Sequence, residues 1–318
     1  METYAVLRYV CGFLTHWENW EGITSMSRKK SGKKGKTPAP RKKKPFTVPA
    51  LCLGLLGLLA AAVFWFSRPK MIELPYLTTR NVAVMDVDTG RLVAALDSDA
   101  PHSPSSLTKM MSVLLVLDDI EKGALSWDDV YTVTEAEAYT YGSKYGMEPG
   151  EVFTVRELVA GAIMVSGCDC IQCLVRLCAP DEAAFVERMN EKAKELKLKG
   201  SHFANSTGID AAEHYMTARD LAVLARTLVT EHPEILDFTS VPSLTIGERT
   251  FQNIHRLVGH DDRVKGLKTG TTQIGGFNLC TYAEKDGRRY IVVLLDSASD
   301  VTRFSETVTV LDLLLGDG

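Results

Sequence analysis

Residues 277–295, FNLCTYAEKDGRRYIVVLL, decide the fold class. They contain two apolar or alternating runs, residues 277–283 and 288–295. Such runs are typical of β-strands, because successive side chains of a strand point to opposite faces. Lys285-Asp286-Gly287 joins the runs, and a turn that contains glycine is a common hairpin signal. The stretch therefore predicts an antiparallel β-hairpin.

A second hairpin is predicted much earlier in the chain. Residues 81–86 and 91–95 are apolar runs on either side of Asp88-Thr89-Gly90, which again has glycine in the turn. Strand signals thus occur at both ends of a segment whose middle has helical periodicity. We therefore expect an α+β fold in which both ends form one antiparallel sheet, with a helical insertion between them.

Helical periodicity fills the region between the two hairpins. Apolar residues recur there every three or four positions, and two Thr residues precede acidic residues at the spacing of helix caps. The predicted helices begin near Ser105, at Thr154, around Phe185 and at Thr217, and an amphipathic helix follows over residues 304–315.

The formal net charge of −4 conceals two unlike parts of the chain. Residues 1–70 carry 13 Lys and Arg against 3 Asp and Glu, whereas residues 71–318 carry 23 against 37. The acidic part is long enough to bury one or two hydrophobic cores. Because its negative charge would repel phosphate groups, we expect no nucleic-acid partner.

An uncharged apolar stretch at residues 46–66 lies near the boundary between these parts. As a helix it would cover about 30 Å, the thickness of the hydrocarbon core of a bilayer. Ten Lys or Arg precede it within residues 28–44, so the positive-inside rule places the N-terminus in the cytoplasm. We expect a cytoplasmic basic tail (1–45), a transmembrane signal-anchor (46–66), a linker (67–80) and an extracytoplasmic domain (81–318).

A cleaved signal peptide is the alternative interpretation of the apolar stretch. Ala60, Ala61 and Ala62 form an A-x-A-like site after an apolar region. Residues 63–66 remain apolar, which favours a retained anchor. Met26 is followed by a basic cluster, as at the start of many exported proteins, so our hypothesis is that residues 1–25 are a mis-set start.

Ser106-Leu107-Thr108-Lys109 places a serine and a lysine about one helical turn apart. A serine hydroxyl needs a base within hydrogen-bond reach to become a good nucleophile. Lys109 can be that base where burial or a neighbouring cation, such as Lys268, lowers its pKa. The same spacing occurs three more times in the basic tail and beside the apolar stretch, so the pattern alone also fits a capping serine and a surface lysine.

Lys268-Thr269-Gly270 is the second candidate element, and its lysine is the last residue of a predicted strand at residues 264–268. A lysine and a hydroxyl on an edge strand suit the binding of a substrate carboxylate. Gly270 would allow a close approach of the backbone. A simple turn without a binding role is the alternative interpretation.

The chain resembles the penicillin-binding serine D-alanyl-D-alanine carboxypeptidases, whose three sequence elements are S-x-x-K, S-x-N and K-T-G. The matching segments of this chain occur in the order of that family and at approximately its spacing. The resemblance covers about residues 81–315 and implies a β-lactamase/DD-peptidase-like fold for a catalytic domain at 81–318. The matching segments are Pro104-Ser-Ser-Leu-Thr-Lys109, Gly142-Ser-Lys144, Pro149-Gly150-Glu151, Ser166-Gly167, His202-Phe-Ala-Asn205 with Thr207-Gly208, His214-Tyr-Met-Thr217-Ala-Arg-Asp220 and Lys265-Gly-Leu-Lys-Thr-Gly270.

The resemblance implies a role for each matching residue of the site. Ser106 would attack the carbonyl between two D-alanines of a peptidoglycan stem peptide, and Lys109 would take its proton. Ser166, with Lys109, would relay a proton to the departing D-alanine. Lys268 and Thr269 would hold the terminal carboxylate of the substrate.

Further substrate contacts and partners follow from the same resemblance. The backbone N–H groups of Ser106 and Thr271 would form an oxyanion hole, and Gly270 would line the substrate strand. The implied ligands are stem peptides that end in D-Ala-D-Ala and the β-lactam antibiotics that mimic them. The resemblance implies no cofactor and no metal.

The resemblance breaks at the second element, which reads Ser166-Gly167-Cys168 instead of Ser-x-Asn. A thiol is a weaker hydrogen-bonding group than an amide, and losing one such contact typically costs about 1–3 kcal/mol. A weakly active or inactive peptidoglycan-binding descendant is therefore an alternative. A class A β-lactamase is a less favoured one, because its E-x-x-L-N segment has no counterpart in this chain.

Four cysteines lie within residues 168–178, which raises the question of a metal site. Cys170 and Cys173 have C-x-x-C spacing, but no second such pair and no nearby His accompany them. Together with Ile171 and Leu174 they fit a helix in which the cysteines are buried as small hydrophobic residues.

Overall fold

The structure is a computed structural model, and it describes residues 71–318. The predicted basic tail, the predicted membrane segment and the first residues of the predicted linker lie outside these residues. Within residues 71–318, no helix is both long and apolar enough to cross a membrane.

Strands from both ends of the described chain form one antiparallel sheet. Its five strands lie in the order β2-β1-β9-β8-β7, so β7 is an edge strand. The sheet prediction and both predicted hairpins are confirmed. The strands are β1 (Asn81–Asp86), β2 (Arg91–Leu96), β7 (Val264–Thr272), β8 (Gly276–Lys285) and β9 (Arg288–Ser297), and two further hairpins, which the sequence did not indicate, consist of β3 (Val130–Thr132) with β4 (Val152–Thr154) and β5 (Ser243–Ile246) with β6 (Arg249–Gln252).

The helices that the sequence predicts are present in the described chain, and two short helices, Glu135–Ala138 and Leu236–Thr239, were not predicted. The predicted caps are present, because Thr154 Oγ1 accepts a hydrogen bond from Glu157 N and Thr217 Oγ1 accepts one from Asp220 N. The helices are α1 (Lys109–Glu121), α2 (Glu135–Ala138), α3 (Val155–Met164), α4 (Cys168–Cys178), α5 (Glu182–Glu195), α6 (Ala218–Glu231), α7 (Leu236–Thr239) and α8 (Asp300–Leu315), with 3-10 turns at Ser105–Thr108 and Pro233–Ile235.

Both faces of the sheet are covered. Along β1, Ala83 and Met85 pack into the large core formed with the inserted helices, whereas Val82 and Val84 pack into a smaller core with α8. This division follows from the two-residue period of a strand, which sends neighbouring side chains to opposite faces. Because apolar groups are needed on both faces, β1 reads as a continuous apolar run in the sequence.

The inserted helices meet the sheet at β7. The 3-10 turn at Ser105–Thr108 packs against β7 and β8, and α1 continues from it into the helical core. The helix that was expected to begin near Ser105 therefore begins with a tighter turn, and its regular α-helical part starts at Lys109. This arrangement brings the S-x-x-K and K-T-G elements together.

Candidate active site

Ser106 and Lys109 lie where the 3-10 turn becomes helix α1. Lys109 Nζ is 2.9 Å from Ser106 Oγ and donates a 2.7 Å hydrogen bond to Thr207 O. Lys109 is fully buried, whereas Ser106 is partly exposed. A solvent-accessible hydroxyl thus lies next to an amine that is shielded from water.

The turn that carries Ser106 is held in place by buried contacts. Thr108 Oγ1 donates a 2.8 Å hydrogen bond to Ser105 O and lies 2.7 Å from His214 Nε2. Ala204 N donates a 3.0 Å hydrogen bond to His214 Nδ1, which assigns the ring proton to Nε2. Burial lowers the pKa of His214 to about 4, so the ring is neutral at neutral pH. His214 is therefore a structural support of the turn.

Gly208 explains why the turn packs so closely on the neighbouring loop. Its φ is +87°, and a Cβ at this position would lie 1.8 Å from Ser105 O. Only glycine fits, because any side chain would push the turn away from the loop. Thr207 O, the second partner of Lys109, lies in the same loop.

Strand β7 forms the wall opposite the turn. Lys268 is buried, and its Nζ donates a 2.9 Å hydrogen bond to Thr269 O. A Cβ on Gly270 would lie 3.2 Å from Ser106 N, which shows how closely the strand passes the nucleophile. The predicted reason for glycine at position 270, close backbone approach, is thus present in the structure.

Both lysines have depressed pKa values. Burial lowers the pKa of Lys109, because desolvation disfavours the charged amine. Burial also lowers the pKa of Lys268 well below its ordinary value, and the charge of Lys109 lowers it further. The sequence left open whether burial or the charge of Lys268 would lower the pKa of Lys109, and burial is the largest cause at both lysines.

The Ser166-x-Cys168 element forms a third wall. Ser166 is buried and has a φ of +65°, an uncommon conformation for a residue other than glycine. The Cys168 thiol interacts with the amine of Lys109 and partly opposes the effect of burial on its pKa. Within the described chain, the hydrogen-bond partners of Lys109 Nζ are Ser106 and Thr207, and Ser166 is not one of them.

Asp210 connects two walls of the site, and the sequence reasoning missed it. Its Oδ1 accepts 2.7 Å hydrogen bonds from Ser103 Oγ and Thr272 Oγ1, and its Oδ2 accepts a 3.0 Å bond from Ile274 N. Although burial opposes the shift, these hydrogen bonds lower the pKa of Asp210. The carboxylate thus ties the segment before Ser106 to the end of β7.

Arg303 of α8 supports the same strand from behind, and it too was missed. Its Nη1 donates hydrogen bonds to Gly270 O (2.8 Å), Thr271 Oγ1 (3.0 Å) and Asn278 O (2.9 Å). Because it is buried and ion-paired with Asp300, it fixes the backbone of the strand next to the site. Neither Asp210 nor Arg303 lies at a sequence spacing that would connect it to the site.

Three of the four cysteines of α4 are buried as predicted, whereas Cys178 is partly exposed. Cys170 and Cys173 are fully buried in the larger core. Burial raises the pKa of Cys173 to about 12 and that of Cys170 well above its ordinary value. These thiols therefore stay protonated at neutral pH and act as small core residues.

Comparisons with known proteins agree with the geometry. A family model described as D-alanyl-D-alanine carboxypeptidase (peptidase S11) matches residues 69–299. The D-alanyl-D-alanine carboxypeptidase DacF of Bacillus subtilis is 32% identical over 238 residues, which are 73% of this chain and 61% of that protein. DacD of Escherichia coli is 32% identical over 265 residues, which are 78% of this chain and 68% of that one.

Solved structures lead to the same family. The D-alanyl-D-alanine carboxypeptidase DacD from Francisella tularensis has a TM-score of 0.71 at 30% identity, over 77% of this chain and 71% of that one. Penicillin-binding protein D2 from Listeria monocytogenes, in a cefotaxime-bound form, has a TM-score of 0.71 at 28% identity, over 76% of this chain and 99% of that one. This chain therefore belongs to the D-alanyl-D-alanine carboxypeptidase family of penicillin-binding proteins.

Proposed function

We propose that this chain is a serine D-alanyl-D-alanine carboxypeptidase that removes the terminal D-alanine from peptidoglycan stem peptides. The observation that carries the proposal is the 2.9 Å distance between Ser106 Oγ and Nζ of the buried Lys109. A hydroxyl beside an amine of lowered pKa has both parts of an activated nucleophile. Membership of the family supports the choice of substrate.

Acylation is the first half of the proposed reaction. Neutral Lys109 Nζ takes the hydroxyl proton while Ser106 Oγ forms a bond to the carbonyl carbon of the penultimate D-alanine. The C–N bond to the terminal D-alanine then breaks, and its nitrogen receives the proton from Lys109 by way of the Ser166 hydroxyl. An ester on Ser106 and free D-alanine are the products of this half.

Residues of β7 and of the 3-10 turn before α1 bind the substrate. Lys268 and Thr269 bind the terminal carboxylate, and Gly270 leaves room for the substrate backbone. The N–H groups of Ser106 and Thr271 face the developing oxyanion. Preorganised donors of this kind stabilise the transition state more than the substrate, because negative charge develops only during the reaction.

Deacylation completes the cycle. Water attacks the ester carbonyl, the bond to Ser106 Oγ breaks, and Oγ regains a proton as the shortened peptide leaves. A β-lactam would acylate Ser106 in the same way, since its reactive amide takes the place of the D-Ala-D-Ala bond. The cefotaxime-bound and ampicillin-bound forms of the Listeria protein support this part of the proposal.

Cys168 is the residue that sets this chain apart from the S-x-N pattern. Its thiol interacts with the Lys109 amine but offers a substrate amide weaker hydrogen bonds than asparagine would. We expect slower acylation rather than a lost reaction, because the nucleophile and its base are both in place. A weakly active, peptidoglycan-binding descendant is the second candidate function, and the departure at Cys168 is the observation that favours it.

Release of D-alanine from a synthetic pentapeptide ending in D-Ala-D-Ala tests the proposal. We expect release by the wild-type protein, lasting labelling by a fluorescent penicillin, and loss of both in Ser106→Ala. Ser305→Ala is the matched control, because Ser305 is exposed on α8, and it should behave as wild type. Penicillin labelling without D-alanine release would favour the binding descendant, and rapid loss of the label would favour a β-lactamase.

We further propose that residues 46–66 anchor the catalytic domain to the outer face of the bacterial cell membrane. The uncharged apolar length of this segment and the basic residues before it support the proposal. Fractionation of cells that express the full chain tests it. We expect the protein in the membrane fraction after a carbonate wash, with its catalytic domain open to external protease, and a soluble protein shortened near Ala62 would contradict it.

A further inference from the structure

Asp169, the second residue of α4, has a fully buried carboxylate. Within residues 71–318, three groups donate hydrogen bonds to this carboxylate, and all three are backbone N–H groups. Its Oδ1 accepts from Tyr145 N (3.0 Å) and Cys170 N (2.9 Å), and its Oδ2 accepts from Gly146 N (2.9 Å). A buried carboxylate is costly without such bonds, and two of the three reach a loop more than twenty residues earlier in the chain.

That loop, residues 142–146, covers the Ser166-x-Cys168 element. Cys168 N donates a 2.7 Å hydrogen bond to Ser143 O. A Cβ on Gly142 would lie 2.8 Å from Cys168 Sγ, so the loop backbone rests directly on the thiol. The loop is thus fixed at one end by a backbone bond to α4 and at the other end by the Asp169 carboxylate.

Gly167, the middle residue of Ser166-Gly167-Cys168, lies close to the same carboxylate. A Cβ on Gly167 would lie 2.7 Å from Asp169 Oδ1, so any larger residue would displace either the carboxylate or the element. Asp169 is therefore packed between the loop on one side and the Ser166-x-Cys168 backbone on the other. Movement of the carboxylate would move both.

Asp169 also contributes charge to the site. On α4, the Cys168 thiol and the Asp169 carboxylate favour the protonated form of Lys109, whereas the Lys268 amine of β7 repels its charge. Asp169 is the carboxylate of this set, and its negative charge favours the protonated form of Lys109. It thus partly opposes the effect of burial on the pKa of that amine.

We propose that Asp169 is a positioning residue for acylation, which holds loop 142–146 against Ser166-x-Cys168 and adds a negative charge to the surroundings of Lys109. This role rests on the proposed function, because it acts through Lys109 as the base and through the wall that contacts the substrate. Asp169 itself touches no reacting atom.

Asp169→Asn tests both parts of the role. The amide keeps the shape, but its NH₂ group faces a backbone N–H group and its charge is gone. We expect the second-order rate of acylation by a reporter penicillin to fall about tenfold or more, because small displacements at a catalytic site are costly. Loss of the anion lowers the pKa of Lys109, so Lys109 is neutral at lower pH and the acidic limb of the pH–rate profile should move to lower pH.

Two further variants separate the role from general damage to the fold. Asp169→Glu keeps the charge but moves the carboxylate, so the rate should fall while the acidic limb stays in place, and this variant also serves if Asp169→Asn does not fold. Asp118→Asn removes a buried carboxylate at the far end of α1, and its folded fraction should acylate at the wild-type rate.

Each result decides a different question. Wild-type rates in Asp169→Asn or Asp169→Glu, or a lower rate in Asp169→Asn with the acidic limb unmoved, would overturn the role of Asp169. A wild-type protein that is not acylated at all would instead overturn the proposed function.

Discussion

Helix α1 has a buried ionisable residue near each end, and the two have opposite surroundings. Lys109 opens the helix beside Lys268, a second buried lysine. Asp118, about 14 Å further along the axis, is held by Lys192 Nζ at 2.7 Å and by His232 Nε2 at 3.0 Å. Among the residues that the structure describes, Lys109 has no ion-pair partner, whereas Asp118 is paired with both Lys192 and His232.

The pKa shifts show what this difference does. Burial lowers the pKa of Lys109 and so makes the amine available as a base. At Asp118, burial is overcome by hydrogen bonds from His232 and Lys192, which lower the pKa of the carboxyl to about 2 and keep it charged. A buried ionisable group without an ion-pair partner is therefore a reactive group, whereas a buried group with such partners forms a structural ion network.

Lys109→Met is expected to have the largest effect on the reactive end. Removing the base should slow acylation by about 10³-fold, within the range of general acid–base catalysis. The free energy of unfolding should not fall, because methionine fills the space without burying an unmatched amine. Reporter-penicillin kinetics and urea unfolding measure the two quantities. A large loss of stability with normal acylation of the folded protein would contradict the assignment of Lys109 as the base.

Asp118→Asn should have the opposite profile. It leaves Lys192 and His232 without their shared anion, and removal of one partner from a buried ion network typically costs about 3 kcal/mol or more. The acylation rate of the folded fraction should stay at the wild-type level. Urea unfolding would give the loss of stability, and unchanged stability would show that the network contributes little.

Cys168→Asn restores the Ser-x-Asn pattern next to Lys109, and we expect it to speed acylation of Ser106. An amide in place of the thiol should gain about 1.4 kcal/mol of interaction with substrate, or about tenfold in acylation rate. Cys173→Ser is a suitable control, because Cys173 lies on the same helix but is buried in the core and is not among the groups that act on Lys109. Equal acylation rates for Cys168→Asn and wild type would mean that the thiol is a full substitute.

The smallest expected effects concern the pH dependence of stability, which comes from the ion network around Asp118. The hydrogen bond to Asp118 raises the pKa of His232 above its ordinary 6.5. The protonated ring therefore contributes stability that is complete below pH 6.5 and is lost as the pH rises through the raised value. Between pH 6 and pH 9, wild type should lose more unfolding free energy than His232→Gln. If the unfolding free energies of the two proteins fell by the same amount over this pH range, His232 would be excluded as the cause.

Acid acts on the same network through Asp118. Its lowered pKa contributes stability above its ordinary 3.8, and this contribution is lost as the pH falls toward about 2. Between pH 4 and pH 2, wild type should therefore lose more stability than Asp118→Asn. Unfolding curves at both pH values measure the difference, and an equal loss in the two proteins would exclude Asp118 as the cause.

Sequence reasoning reached those parts of the site that local spacing encodes. Ser106 and Lys109 are one turn apart, so any helical start brings them together. The K-T-G residues were recognised from their place before a predicted hairpin. Asp169, Asp210 and Arg303 were missed, because their partners lie far away in the chain and no spacing connects them.

By itself, the sequence determined the two hairpins of the five-stranded sheet, the main helices and the neighbourhood of Ser106 and Lys109, since the periods of strands and helices are local properties. The tertiary structure decided how strongly the two lysines are desolvated and which backbone passes the nucleophile. Desolvation depends on everything that packs around a group, and here strand β7, the loop at Thr207 and helix α4 all contribute. The chemistry of Lys109 therefore comes from residues that the pattern around it does not contain.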